Sequence, residues 1–142
     1  MYSYKKYLLL LLVVFVGCNN EQPTEVNSDL FGLYESARFI ESGANGEDID
    51  IQSAGGYLRI YLKVNFTFTA ELFIPDDIQS KYPKGRTNYK GNYSVRDNLI
   101  EFTSTFIVEL WEWSKEYKRL KAIELSLARG LPSEIILYKY LR

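Results

Sequence analysis

The sequence predicts an all-β domain, an antiparallel meander closed as a barrel or folded as a sandwich. Three observations predict it. Apolar and polar residues alternate with period two over long stretches. Residues that favour turns recur between those stretches. Aromatic residues reach 15%, with twelve Tyr and eight Phe beside many Ile, Val and Thr, a mixture that suits strands.

The chain opens on a processing signal, not on the domain. Tyr4-Lys5-Lys6-Tyr7 is a short basic segment, and Leu8 to Val16 is an unbroken apolar run of nine residues. As a helix that run spans roughly 13 Å at about 1.5 Å per residue. A hydrocarbon core of roughly 30 Å needs about 20 residues, so the run is too short to cross. A basic flank, a short apolar run and a small residue at the exit describe a signal peptide. The exit reads Phe15-Val16-Gly17-Cys18, which resembles the bacterial lipobox, with Phe15 where Leu is usual. The resemblance implies a diacylglyceryl group on the Cys18 sulfur and cleavage after Gly17. Two or three acyl chains, at about 0.8 kcal/mol per buried CH₂, make a stable anchor. Asn19 to Asp29 is polar, contains Pro23 and lacks periodicity, as a flexible tether would. The expected organisation is therefore a signal peptide over 1–17, a lipidated Cys and tether over 18–29, and a β-domain over 30–142. The expected location is the bacterial cell envelope, on the outer membrane, although Asn19 gives no clear sorting instruction.

The strands follow in order. Leu33 to Glu41 is the first, and Ser42 to Gly56 is a glycine-rich loop. Leu58, Ile60, Leu62, Val64, Phe66, Phe68, Ala70, Leu72 and Ile74 hold one face, with mostly polar residues between them. Seventeen residues at about 3.3 Å each would make a strand of roughly 55 Å, far beyond the usual length. A turn must intervene, and Lys63 to Phe66 around Asn65 is the expected place. Pro75 to Arg86 is a loop in which Asp76 to Lys81 could form a short helical turn. Tyr89, Tyr93 and Val95 alternate up to Arg96-Asp97-Asn98, where Asp and Asn tolerate a left-handed backbone. Ile100 and Phe102 follow. Thr105 to Trp113 is extended, with Phe106, Val108 and Leu110 on one face. Trp111 and Trp113 fall on the other, which is expected to point outward or to sit at a rim. Ser114-Lys115-Glu116 turns the chain, Lys121 to Leu127 is a strand, Arg129 to Pro132 breaks it, and Ile135 to Leu141 closes. Seven or eight strands result, at the spacing of a closed antiparallel fold.

The order of motifs resembles the bacterial lipocalin-like domains of small lipoproteins, over the whole domain. Gly32-Leu33-Tyr34 stands where that family opens with Gly-x-Trp or Gly-x-Tyr. Gly55-Gly56-Tyr57-Leu58 leads into the first long hairpin, and the segment from Phe68 to Pro75 resembles its strand ending in Ile-Pro. Gly91-Asn92-Tyr93-Ser94-Val95 and the segment from Asn98 to Phe102 resemble its Gly-x-Tyr-x-Val hairpin. Ile136-Leu137-Tyr138-Lys139 matches its closing strand. The departure is Val64-Asn65-Phe66, where the family usually turns on Asp-Gly. The resemblance implies an antiparallel eight-stranded lipocalin-like barrel or near-closed barrel. A barrel of that size is either filled by side chains or holds one small hydrophobic ligand.

Composition narrows the chemistry. After residue 17 the chain carries 15 basic and 18 acidic residues, a net charge of −3, so no nucleic-acid partner is expected. No His is present, which excludes Ser-His-Asp and Cys-His catalysis and every His-based metal site. The one Cys cannot form an internal disulfide. Glu47, Asp48 and Asp50, with Asp76 and Asp77, form acidic loops without calcium-loop spacing. Lys81, Lys84, Arg86 and Lys90 form one basic loop, and Lys115, Lys118, Arg119 and Lys121 another; either could touch anionic headgroups. Solvated surface is the plain reading of all four. No enzyme, cofactor or metal is expected. The expected partners are the membrane, through the lipid on Cys18, and a small hydrophobic ligand if the barrel is hollow. Tyr57, Tyr61, Phe73 and Tyr93 are candidates for a ligand-binding barrel mouth, with Trp111 and Trp113. The opposing reading is a filled barrel that acts through its outer surface.

Overall fold

The computed structural model describes residues 28–42, 47–103, 110–124 and 133–141. The expected signal peptide, with Gly17 and Cys18, and the expected tether up to residue 27 lie outside them, as do Phe106, Val108 and the break expected at 129–132. Among the described residues, a 3-10 turn at Ser28–Leu30 is followed by nine strands. They are β1 (Gly32–Ser42), β2 (Asp48–Asp50), β3 (Tyr57–Leu62), β4 (Thr67–Ile74), β5 (Gly85–Arg96), β6 (Leu99–Phe102), β7 (Leu110–Ser114), β8 (Arg119–Glu124) and β9 (Ser133–Lys139).

β1 and β3 to β9 form a closed, antiparallel eight-stranded barrel, because each pairs with the next and β9 returns to β1. The all-β, lipocalin-like barrel architecture expected from the sequence is the observed one. β2 is an extra short strand. It forms inside the segment read as a loop, pairing Asp48, Ile49 and Asp50 with Ser42, Glu41 and Ile40. Three residues give too short a run for alternation to reveal.

β1 makes the closure possible by changing partners along its length. Its first residues, Gly32 to Glu35, pair with β3, and its last three pair with β2. Its other edge carries β9, with a bulge between Ser36 and Arg38. Such a bulge adds one residue and bends the strand, which a closing sheet requires. In the gap between β3 and β2, Ser36 is buried. Its Oγ accepts from the Leu58 N–H at 3.0 Å and donates to Gln52 Oε1 at 2.6 Å. A side chain thus takes over where the ladder is interrupted, as a buried N–H demands.

The expected break in the long alternating run lies at residues 63–66. Phe66 N–H donates to the Lys63 carbonyl at 3.1 Å, and Asn65 Oδ1 accepts from Thr67 Oγ1 at 2.7 Å. Phe66 has φ 59°, the left-handed step for which glycine is the usual residue. The step is made here with a residue costlier than glycine. At the next hairpin Asp97 takes φ 55°, as its side chain permits. Asp76 and Asp77 form a plain turn, not a helical one, and β5 begins at Gly85, earlier than the alternation suggested.

The period-two face becomes the core. Leu58, Ile60, Leu62, Phe68, Leu72 and Ile74 have at most 1% solvent exposure. Trp111 and Trp113 correct the expected orientation. Both are interior, Trp111 fully enclosed and Trp113 nine-tenths so. Strand 7 has apolar residues on both faces, and its neighbours choose between them. Trp111 stands opposite buried Ile100, whereas Leu110 stands opposite exposed Glu101. Enclosing two indoles removes more apolar area from water than enclosing one leucine.

Candidate functional site

The six aromatic candidates do not gather into one mouth. Tyr93, Trp111 and Trp113 are inside the barrel. Tyr57, Tyr61 and Phe73 are on its outer wall, because Leu58, Ile60, Leu62, Leu72 and Ile74 occupy the inward phase of the same strands. The expectation that these three line a mouth is therefore corrected by strand parity.

On the outer wall Tyr57 and Phe73 stack across β3 and β4, with ring centroids 5.5 Å apart. The Arg59 guanidinium lies over the Tyr57 ring at 4.4 Å and donates to Glu35 Oε1 at 2.9 Å. Glu71 Oε1 accepts from the Tyr57 hydroxyl at 2.5 Å. That carboxylate holds the phenol proton in place and raises the Tyr57 pKa, and Glu35 raises that of Arg59. Arg86 completes the group, 3.7 Å from Glu71. The patch is a half-exposed charge network around two rings. Such pairs are screened by solvent and add little stability.

The barrel has two unlike ends. Short connections at 63–66, 97–98 and 115–118 define a turn end, where β1 starts and β9 finishes. Tyr34 donates there to the Leu30 carbonyl at 2.7 Å, fastening the 3-10 turn to the core. Tyr93 donates to the Lys63 carbonyl at 2.7 Å, fastening the first hairpin. Burial pushes both phenols up, Tyr93 to about 12; the Trp113 indole beside Tyr34 pulls slightly the other way. Lys139 Nζ donates to the Asp29 carbonyl, and its burial lowers its pKa.

The loop end is covered by residues 75–84. Tyr82 is buried against Phe39, with centroids 5.6 Å apart, and Ile78 packs on the same core. The segment is held by Glu41, which is 2% exposed. Glu41 Oε2 accepts from Ser80 Oγ at 2.6 Å, and Oε1 accepts from the Lys81 N–H at 2.7 Å. Sequence reading missed this residue. The available signal was an acid two residues after Phe39, in phase with a buried face.

Ser36 and Glu41 are the buried polar side chains among the described residues, and both are committed to internal hydrogen bonds. Also among the described residues, no three His, Cys, Asp or Glu side chains group as metal ligands would. No helix there is long and apolar enough to cross a membrane. A scan against protein-family models, a search of curated proteins and a search of solved structures each found no match.

Proposed function

We propose that this chain is a lipid-anchored protein of the bacterial envelope, with a lipocalin-like barrel that is filled and works through its outer surface. The single observation that supports the second half is the complete enclosure of the inward side chains among the described residues. A void large enough for a small ligand would leave the side chains around it in contact with open space. Trp111, Tyr34, Phe39, Leu58, Ile60, Leu62, Leu72, Ile74 and Ile100 have 0% exposure and come from five different strands around the barrel. Ligand sites of drug size are cavities of roughly 300 Å³ or more, lined by partly exposed apolar groups. Such enclosure is what a close-packed core would give. The anchored half is supported by the lipobox-like exit at Gly17-Cys18 and the polar segment that follows it.

Native mass spectrometry of the full processed protein, extracted from membranes in mild detergent, tests the filled barrel. The expected mass is that of the polypeptide with its acyl chains alone. A small molecule that co-purifies at stoichiometric level would instead favour a carrier, with the loop over residues 75–84 as its gate. The anchor is tested separately by Cys18→Ser. That variant is expected not to incorporate labelled palmitate and to leave the membrane fraction; membrane retention with unchanged mass would overturn the anchor.

A further inference from the structure

Most of the large apolar side chains exposed among the described residues lie at or near the turn end of the barrel, Ile123 on β8 being set apart from it. Val64 and Phe66 lie at the tip of the first hairpin, Tyr117 at the tip of 115–118, and Tyr140 and Leu141 just beyond β9. Their exposures run from 38% for Phe66 to 69% for Val64. Backbone bonds hold these tips at one end: Lys139 N–H donates to the Lys118 carbonyl at 2.8 Å, and Tyr140 N–H to the Leu33 carbonyl at 2.7 Å. Phe66 reaches its place only through a left-handed backbone step, a conformation bulky residues rarely adopt. An exposed apolar group of this kind needs a reason, since scattered single residues would not converge on one end.

The charge on this end is complementary to phospholipid. Lys63, Arg96, Lys115, Lys118 and Arg119 stand in or beside its turns, against the acids Asp29, Asp97 and Glu116. The loop end has the opposite balance, with Glu47, Asp48, Asp50, Asp76 and Asp77 against Lys81, Lys84 and Arg86. The described chain also begins at the turn end. Ser28–Leu30 packs there, and Lys115 Nζ lies 4.0 Å from Asp29 Oδ2. Only nine residues separate Cys18 from Ser28. At no more than about 3.5 Å per residue they hold this end within roughly 35 Å of an anchored Cys18.

From these observations we infer that the turn end is a membrane-docking surface, whose apolar tips enter the headgroup layer of an anionic bilayer while its basic residues meet lipid phosphates. The inference rests on the lipid anchor proposed above. It gives the barrel a fixed pose, with its turn end down, its loop end and acidic residues facing away from the bilayer, and its side wall free. Aromatic rings suit the interfacial layer because they are amphipathic. Basic side chains near an anionic surface each strengthen binding about fivefold.

The test uses the full processed protein in vesicles of phosphatidylglycerol and phosphatidylethanolamine, and in vesicles of phosphatidylcholine. Backbone hydrogen exchange is read at residues 63–66, 115–118 and 139–141, with 75–84 as the internal reference. In anionic vesicles the three turn-end segments are expected to exchange more slowly than they do in a Val64→Ser/Tyr140→Ser variant, while 75–84 is unchanged. A Lys115→Gln/Lys118→Gln variant is expected to lose about 25-fold of the docking equilibrium in anionic vesicles and little in neutral ones. Identical exchange in wild type and both variants would overturn the inference, as would protection of 75–84 in place of the turns. The mass of the N-terminal peptide, measured on the same samples, reports the acyl chains. Missing chains overturn the anchor, whereas acylated protein with unprotected tips overturns docking alone.

Discussion

Glu41→Ala should loosen the loop end without disturbing the rest of the barrel. The Glu41 carboxylate is almost fully buried and accepts from Ser80 Oγ at 2.6 Å and from the Lys81 N–H at 2.7 Å. A hydrogen bond to a charged group contributes about 1.5–3 kcal/mol, and a buried donor left unpaired costs about 1–3 kcal/mol. Removal of the carboxylate also relieves its own desolvation, so the two losses do not simply add. A net cost of about 2–4 kcal/mol follows. For a domain of this size each kcal/mol lowers Tm by about 4 °C, which gives a fall of roughly 8–16 °C. Glu41→Gln keeps one acceptor and turns an amide N–H₂ toward the second donor, so about half the loss is expected. Thermal unfolding followed by circular dichroism gives the Tm. Hydrogen exchange at 75–84 locates the effect, because a released loop opens before the barrel does. If Glu41→Ala melts within 2 °C of wild type, about the effect of a typical surface change, and its loop exchanges no faster, the latch is not what holds this end.

Trp111→Ala should cost about 3–5 kcal/mol in chemical denaturation, as truncation of a buried indole does, whereas an outward tryptophan would cost under about 0.5 kcal/mol. Its fluorescence should likewise resist iodide quenching. Gly56→Ala should destabilise by about 1–3 kcal/mol, since the added Cβ would lie 2.5 Å from Ile51 Cγ2 and 2.9 Å from the Phe73 carbonyl oxygen; an unchanged denaturation midpoint would count against the packing described. Alkaline pH should unfold the protein. Tyr34 and Tyr93 have folded pKa values above the unfolded value near 10, so their contribution is complete below about pH 10 and is lost as pH rises through about 12 for Tyr93. Absorbance titration of the phenols against circular dichroism checks this, and two phenols ionising at their ordinary pKa while the fold persists would contradict it.

Much of the fold was legible because burial imposes parity. The run from Leu58 to Ile74 had one face and one polar interruption, and the structure keeps both, with the turn at 63–66. The same logic was available for Tyr57, Tyr61 and Phe73, whose odd positions already placed them outside. Residue type alone groups them as a mouth; parity separates them. Strand 7 was not decidable alone. It carries apolar groups in both phases, and only the partners Ile100 and Leu120 reveal that the tryptophans turn inward. β2 was too short to show a period, and β5 lacks large buried residues before Tyr93, so its first half reads as polar coil. Glu41 escaped because a buried carboxylate is defined by its partners, and these lie about forty residues away.

Each end of the barrel keeps a feature that closing a barrel does not require. Leu, Ile, Phe and Trp side chains could fill the lumen in many arrangements of similar volume. The ends are more particular. At the loop end a carboxylate is kept in a nearly dry site, a costly choice that an apolar cap would avoid, and its effect is to fix one loop in one position. At the turn end Phe66 accepts a backbone strain of about 1–2 kcal/mol where Gly would have none, and its ring stays half in solvent. A sequence under pressure only to close a barrel would relieve both. Phe66→Gly is the simplest probe of that trade. It relieves the backbone but loses the Phe66–Tyr93 ring contact, centroids 5.7 Å apart and worth about 0.5–1.5 kcal/mol, and also the apolar area that the ring buries. Stability should fall by about 1–2 kcal/mol, while the protection of the turn-end segments in anionic vesicles should be lost. A variant as slow to exchange as wild type on the bilayer would mean that Phe66 serves the fold alone.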